Sequence, residues 1–336
     1  MATKNLSTKG PLKQPNINNL KISLIGECMI ELQDHPGKGV QQTFGGDTLN
    51  TAIYMARLAR IFPLTVDYVT AIGTDPFSKA MMAFWESEGV GSSLVQHIDG
   101  KLPGLYYIFL DSAGERTFHY WRGESAARRC FDNNGSETVL SRLEAYDAVY
   151  ISGISLAILE PAGLERLITK LYDLNCMGKA IFFDFNYRPH LWPGKKEALE
   201  VYKRILSISH TVLLNREEGE SLLGHTEQTE MHRILNEAGV RESVVRDGEA
   251  PCSIYTEGDI YRVAALKDVK VVDTTAAGDS FSAAYLVARM FGVDVENAAL
   301  LGHRLAAEVI SCKGAVAPMS AMPFWEGVLA ETPGAD

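Results

Sequence analysis

The chain has 336 residues, of which 46% are hydrophobic and 22% charged, and its formal net charge is −10. This composition is that of a globular protein with a sizeable core, while the negative charge argues against a nucleic-acid partner held through its phosphates. No apolar run approaches the roughly 18 residues that a bilayer crossing needs, so we expect no membrane partner.

The first 20 residues are polar and lack the apolar stretch of a signal peptide. We therefore interpret residues 1–20 as a flexible N-terminal tail. The five cysteines are scattered and never stand in C-x-x-C spacing. That argues against a disulfide framework or a zinc site, and the sequence predicts a protein of the reducing cytoplasm.

After the tail, strand and helix patterns alternate. A short apolar strand covers residues 21–26, and a helical pattern begins near Asp47 or Thr48. A second strand follows over 66–73, and then a helix over about 76–88, which proline opens.

The pattern changes between about residues 105 and 122. Residues 106–110 and 116–121 are rich in aromatic and β-branched side chains, and 111–114 carry a turn signal, so an antiparallel hairpin is predicted. Strand–helix alternation then resumes, with strands expected near residues 147–152, 180–184, 211–214 and 243–246. This order predicts an α/β fold: a mostly parallel central sheet with helices on both faces, and a separate small β element that could form a lid.

One segment near the C-terminus, residues 271–286 (VVDTTAAGDSFSAAYL), combines small residues with the start of a helix. Small residues allow backbone N–H groups to approach an anion, and the positive end of the helix dipole faces the same point. Ala276, Ala277 and Gly278 are therefore predicted to form an anion hole for a phosphoryl group. Asp279 could accept the proton of an attacking hydroxyl, although a plain helix N-cap would use the same residue type.

A second motif lies at residues 44–52 (FGGDTLNTA), where paired glycines precede a helix. Gly46 would let the backbone approach a ligand, and Asp47 and Asn50 share one face of the first turn, where they could bind sugar hydroxyls. The alternative is that Asp47 or Thr48 only caps this helix.

The two motifs, in this order, resemble those of the ribokinase-like (PfkB-type) carbohydrate kinases. The resemblance implies a ribokinase-like domain over residues 21–325, with lid strands from about 29–45 and 103–122 and a C-terminal tail over 326–336. It also implies ATP as phosphoryl donor. Ala276 stands where the family usually has glycine, which is tolerable if this residue avoids positive φ.

Within the family, the chain is most similar to members that phosphorylate a sugar acid, 2-keto-3-deoxygluconate, at O6. The runs behind this are residues 26–32, 46–51, 102–107, 114–118, 120–122, 152–155, 186–189 and 191–192. Arg188 follows an apolar strand, and its planar fork suits the carboxylate that neutral sugars lack. By resemblance, Tyr106, Tyr120, Arg122 and the Ile154 backbone complete the sugar pocket. Without the family, Arg188 would be read as a solvated charge and the tyrosines as cross-strand packing.

For the nucleotide, the resemblance assigns Asn215 and Glu218 to Mg²⁺ and the phosphates, through water, and Gly248 to the adenosine side. The alternative for Asn215 and Glu218 is an acid-rich helix start. The Arg246–Asp247 pair before Gly248 departs from the usual sequence. No histidine pairing suggests a metal site within the protein itself.

Two rival functions remain at this level. One is the same chemistry on a neutral sugar, as in fructokinases and ribokinases, and the other is a relative that binds sugar without phosphorylating it. An apolar, aromatic hairpin outside the main sheet could also pair with that of a second copy, so a dimer formed through the lid is predicted.

Overall fold

The computed structural model of the chain describes residues 19–35, 39–110 and 116–322. The predicted C-terminal tail, almost all of the predicted N-terminal tail and the turn predicted at residues 111–114 lie outside these ranges. Within them, no helix combines the length and the apolar composition that a bilayer crossing requires.

Fourteen strands occur in the described ranges. In chain order they are β1 (Leu20–Ile25), β2 (Met29–His35), β3 (Gly39–Gly45), β4 (Leu64–Val69), β5 (Ala71–Ile72), β6 (Gln96–His97), β7 (Gly104–Leu110), β8 (Arg116–Trp121), β9 (Ala148–Ser152), β10 (Ala180–Asp184), β11 (Thr211–Asn215), β12 (Glu242–Asp247), β13 (Ala250–Thr256) and β14 (Asp259–Val263).

Eight of these strands form the main sheet, in the order β14-β13-β12-β11-β10-β9-β1-β4. All neighbours from β12 to β4 pair in parallel, while β12–β13 and β13–β14 are antiparallel. The mostly parallel sheet is therefore confirmed, and the antiparallel edge of β13 and β14 is an addition that the sequence analysis missed.

The same part of the chain contains ten α-helices. They are α1 (Asp47–Leu58), α2 (Pro76–Ser87), α3 (Ser136–Arg142), α4 (Gly153–Ile158), α5 (Pro161–Cys176), α6 (Lys195–Leu206), α7 (Arg216–Leu223), α8 (Gln228–Glu237), α9 (Ala277–Met290) and α10 (Val295–Ile310).

The helices cover both faces of the main sheet. Successive side chains of a strand point to opposite faces, so neighbouring residues of one strand pack against different helices. In β9, Tyr150 packs into a core with α1, α2, α9 and α10, whereas Val149 and Ile151 pack into a second core with α3 to α8. The layered fold predicted from the alternation is confirmed. The predicted strand over 66–73 is in fact two, β4 and β5, and β5 pairs with β6 instead of with the main sheet.

A four-stranded sheet of order β3-β2-β7-β8, called the small sheet below, is separate from the main one. Its β2–β3 and β7–β8 pairs are antiparallel, and β2 and β7 join them in parallel. The predicted hairpin is therefore one half of this sheet. The chain enters β2 directly after the carboxyl end of β1, which brings the small sheet to the edge where ligands bind in open α/β folds.

Candidate active site

A pocket of about 350 Å³ opens between the small sheet and the carboxyl ends of the parallel strands. Residues from both sequence motifs line it, although they are far apart in the chain. Of the predicted site residues, the lining includes Gly46, Asp47, Asn50, Tyr106, Tyr120, Arg122, Ile154, Arg188, Asn215, Glu218, Ala276, Ala277, Gly278 and Asp279.

Gly248 is the predicted residue that this lining does not include. It lies in the tight turn between β12 and β13, where its φ of +56° suits a glycine. Its assignment to the adenosine side stays a prediction.

Asp279 lies in the first turn of α9, which begins at Ala277 with Ala276 in the N-cap position. The interpretation of Asp279 as a helix N-cap is therefore wrong. Its carboxylate instead accepts a hydrogen bond from Asn50 Nδ2 of the other motif, at 2.9 Å. Burial, followed by the nearby Asp47 carboxylate, raises the pKa of Asp279 from 3.8 to about 8. A carboxylate held this way can accept a proton near neutral pH.

Ala276 has a φ of +61°, in the left-handed region. The condition under which the sequence analysis considered alanine tolerable here, a φ that is not positive, is therefore not met. The left-handed turn is what directs the chain from the loop into α9, and glycine takes it without the steric cost that a Cβ adds. Ala276 adopts the same left-handed turn, with the steric strain that its Cβ adds.

We expect Ala276→Gly to change the free energy of unfolding by less than about 1 kcal/mol, because relief of the left-handed strain offsets the added freedom of the unfolded chain. Ala307→Gly in the helical interior of α10 is the matched control and should cost about 1 kcal/mol. Urea unfolding of both variants checks this. An equal loss in both would mean that position 276 carries no strain.

Neither Asp47 nor Thr48 caps α1, since Gly46 holds the N-cap position. The Asp47 carboxylate accepts from Asn186 Nδ2 at 2.8 Å, whereas Thr48 is buried against the Tyr68 hydroxyl at 2.9 Å. A Cβ on Gly46 would lie 2.2 Å from the Glu27 carbonyl oxygen, so only glycine fits there. The motif thus directs one carboxylate into the pocket.

Two of the pocket arginines are anchored by protein carboxylates. Arg122 pairs with the buried Glu27, and Arg188 Nη1 donates to Glu218 at 2.9 Å. Each guanidinium keeps further N–H groups, because an arginine carries five donors in a rigid fork. The Arg188 side chain is 43% exposed, so this residue is neither buried nor a fully solvated surface charge.

Tyr106 and Tyr120 are directly opposite each other on β7 and β8, with ring centroids 5.8 Å apart. The cross-strand packing considered for them is therefore present, and both rings also line the pocket. The Tyr106 hydroxyl donates to Glu31 on β2, which fixes the ring within the small sheet.

Near the predicted nucleotide side, Asn215 ends β11 and α7 begins at Arg216. Glu218 Oε2 accepts from the Asn215 backbone N–H at 3.2 Å, as a carboxylate in a first helical turn does. The helix-start interpretation therefore holds in part, and Glu218 faces the pocket as well. Among the residues that the structure describes, no three His, Cys, Asp or Glu side chains are grouped to hold a metal ion.

Four pocket residues with charged or amide side chains were not predicted: Glu27, Asp184, Asn186 and Arg246. Each lies at or just after the carboxyl end of a parallel strand. The rule that placed Arg188 at this edge could have found them, since a polar residue that follows an apolar strand of a parallel sheet points to the ligand edge.

A pocket at the carboxyl edge of a parallel sheet, lined by a helix start and a buried carboxylate, is the arrangement expected of a small-molecule phosphotransferase. The profile of the pfkB family carbohydrate kinases matches residues 19–322. The chain belongs to the pfkB family of carbohydrate kinases.

Several curated relatives carry the name 2-dehydro-3-deoxygluconokinase, two of them as follows. The protein from Escherichia coli strain K12 is 45% identical over 306 residues, which cover 90% of this chain and 99% of the relative. The protein from Dickeya dadantii is 45% identical over 305 residues, which cover 90% and 98%. The fold is similar to that of a putative ribokinase II from E. coli, solved with ATP and Mg²⁺, with a TM-score of 0.77, 20% identity and coverage of 93% and 98%.

Proposed function

We propose that this kinase transfers the γ-phosphoryl group of ATP to O6 of 2-keto-3-deoxygluconate and yields 2-keto-3-deoxy-6-phosphogluconate in sugar-acid catabolism. The observation that carries the proposal is that Arg122 and Arg188 face the same pocket as Asp279. Two guanidinium groups in a sugar pocket suit a carboxylate, which a neutral sugar lacks. The curated relatives named 2-dehydro-3-deoxygluconokinase support the same substrate.

In the proposed reaction, Asp279 accepts the O6 proton as the hydroxyl attacks the γ-phosphorus. Backbone N–H groups of Ala276 and Gly278 face the charge that develops on the transferring phosphoryl group, and the Ala277 N–H, which donates to the Thr274 carbonyl oxygen at 3.2 Å, would have to be shared with it. Asn50 holds the carboxylate of Asp279, and closure of the small sheet as a lid would exclude water.

Polar atoms without partners support ligand binding at this place. Within the described ranges, five residues that line the pocket carry a buried polar atom with no hydrogen-bond partner: Glu27 Oε1, Asn50 Oδ1, Arg122 Nε, Asn186 Oδ1 and Arg246 Nε. Because such atoms are destabilising unless they are paired, their concentration in one pocket suits a polyhydroxylated, charged ligand.

The oxygen donors around the pocket also fit Mg²⁺ that arrives with ATP. Mg²⁺ keeps several waters and takes one or two carboxylates plus phosphates, and Asn215 and Glu218 would hold it in this way. When bound, it would neutralise charge on the phosphates.

All five cysteines are free, which is in keeping with a reaction in the cytoplasm.

The test is MgATP-dependent ADP release with 2-keto-3-deoxygluconate, beside fructose, ribose and adenosine. A clear preference for the sugar acid is expected. Turnover of a neutral sugar alone would keep the kinase and remove the substrate assignment. No turnover with any of the four would favour a non-catalytic sugar-binding protein.

The pH profile of kcat/KM gives a second test. The base must be ionised, so kcat/KM should rise with pH, reach half its maximum near the Asp279 pKa of about 8 and level off above it. Asn50→Ala removes a hydrogen bond to the carboxylate and should move this limb to higher pH. A profile that stays flat between about pH 6 and pH 9 would contradict the role of Asp279.

We also propose that two copies of the chain pair through their small sheets. β8 is an edge strand, and Trp121 and Tyr120 on it are 62% and 47% exposed. Trp121→Lys should raise the dissociation constant of the dimer by at least about tenfold in sedimentation equilibrium. Met177→Lys is the control, because Met177 is 54% exposed and lies just before β10, at the edge of the main sheet opposite the pocket. A monomeric wild type would exclude the dimer.

A further inference from the structure

Arg246 is a buried arginine at the carboxyl end of β12, in the pair that departs from the family pattern. Its Nη1 donates to the Gly278 carbonyl oxygen at 2.6 Å and to Ser282 Oγ at 3.1 Å. Its Nη2 lies 3.5 Å from Asp184 Oδ2 on β10. One guanidinium thus connects the first turns of α9 with the edge of the main sheet.

These contacts lie at the anion hole itself. Gly278 belongs to the loop–helix junction whose N–H groups are proposed to face the phosphoryl group. A Cβ on Gly278 would lie 3.0 Å from Arg246 Nη1, which is tighter than most real Cβ contacts, so glycine lets the guanidinium lie against the helix start. Because the arginine fork is planar and rigid, two bonds from Nη1 restrict how the start of α9 can move.

The charges around Arg246 also connect this residue with the anion hole. Asp184, Glu218 and Asp279 all line the pocket, whereas Arg122 and Arg188 are engaged by Glu27 and Glu218. Arg246 therefore supplies positive charge beside Asp184 and the loop. It also lowers the pKa of both Asp279 and Glu218 against the larger, opposite effect of burial, so it helps to keep the base ionised.

We propose that Arg246 is a positioning residue for phosphoryl transfer, which fixes the Gly278 peptide and keeps positive charge beside the anion hole. The inference rests on the proposed kinase reaction. It predicts an effect on turnover and not on sugar binding. The predicted sugar contacts come from the small sheet, from the start of α1 and from the segments after β9 and β10, whereas β12 lies two strands beyond β10 in the main sheet.

The experiment compares Arg246→Ala with Arg289→Ala. Arg289 lies at the C-terminal end of α9, the helix whose first turns Arg246 contacts. It pairs there with the buried Glu242 at 2.7 Å and does not line the pocket. For R246A we expect kcat to fall about 10²-fold, as when one oxyanion-hole donor is lost. The dissociation constant of the sugar acid, measured by calorimetry, should stay within about twofold of wild type, a change well under 1 kcal/mol. R289A should lose stability and keep its kcat.

Millimolar guanidinium should restore part of the R246A turnover, whereas NaCl at the same ionic strength should not. A merely structural arginine would show neither this rescue nor a selective loss of kcat. The inference is overturned if R246A keeps kcat within about threefold of wild type, or if R289A loses as much.

If R246A unfolds below the assay temperature, Arg246→Lys carries the test. Lysine keeps the charge but cannot reproduce the rigid fork, so a kcat loss of about tenfold with unchanged sugar binding is expected. Full activity of R246K would overturn the inference. Wild-type preference for a neutral sugar would remove only the substrate assignment, since the same comparison can be made with that sugar. A wild type that phosphorylates no sugar would overturn both.

Discussion

Replacing Asp279 with asparagine should lower kcat by about 10²- to 10⁴-fold, the usual contribution of a general base. The amide has nearly the same shape, and its oxygen can still accept the hydrogen bond from Asn50 Nδ2, so the pocket should keep its geometry. What the variant loses is the ability to accept a proton. Steady-state ADP release with the sugar acid, together with calorimetric sugar binding, separates the two effects.

Asp294→Asn is the matched control for this change. Asp294 caps α10 and accepts from the Glu296 and Asn297 N–H groups, outside the pocket. Asparagine caps helices about as well as aspartate, so this variant should keep both its stability and its turnover. If D279N behaved like D294N, Asp279 would be a structural residue of α9 and another group would have to act as base.

Arg188→Ala should reduce kcat/KM about 10²-fold more for the sugar acid than for fructose, because only the acid loses a charge-assisted hydrogen bond. Removal of the guanidinium also leaves Glu218 without its ion pair, which would weaken turnover of any sugar. The ratio of the two losses, and not either loss alone, therefore reports the carboxylate contact. Saturation kinetics with both sugars give that ratio.

Arg128→Ala controls for removal of a partly exposed, ion-paired arginine. Arg128 pairs with Glu160 at 3.0 Å and does not line the pocket, so the ratio between the two sugars should not change. Equal losses for sugar acid and fructose in R188A would show that Arg188 recognises no carboxylate. In that case Arg122 would be the remaining arginine among the predicted sugar contacts.

The main sheet could be predicted because its strands are buried on both faces. Runs such as residues 180–184 (AIFFD) and 211–214 (TVLL) are apolar apart from one polar residue at an end, and short apolar runs between helical patterns indicate parallel strands. The strands β13 and β14 were missed for the opposite reason. β14 is the edge strand and β13 is its neighbour, and residues such as Asp259 and Ile260 on β14 are exposed, so the periodic signal is weak.

Part of the site could be predicted because its residues stand in local motifs. Gly46 and Asp47, like Gly278 and Asp279, are adjacent in the chain, and loop–helix junctions are built from local sequence. Arg246 stands in no such motif, and its position at the end of an apolar strand indicates the ligand edge but not its partners. Its partners Asp184 and Gly278 are far from it in the chain, and no local pattern says that the three come together.

The sequence by itself determined the layered α/β architecture, the helix start with its carboxylate, and the presence of arginines suited to an acidic substrate. These depend on periodicity and on local geometry, which short segments carry. Only the tertiary structure decided that Asn50 holds Asp279, that Ala276 adopts a left-handed turn, and that Glu27 and Glu218 anchor the arginines. Such contacts form when the carboxyl ends of separate strands meet at one edge of the sheet, and their energies depend on burial and charge that no single segment specifies.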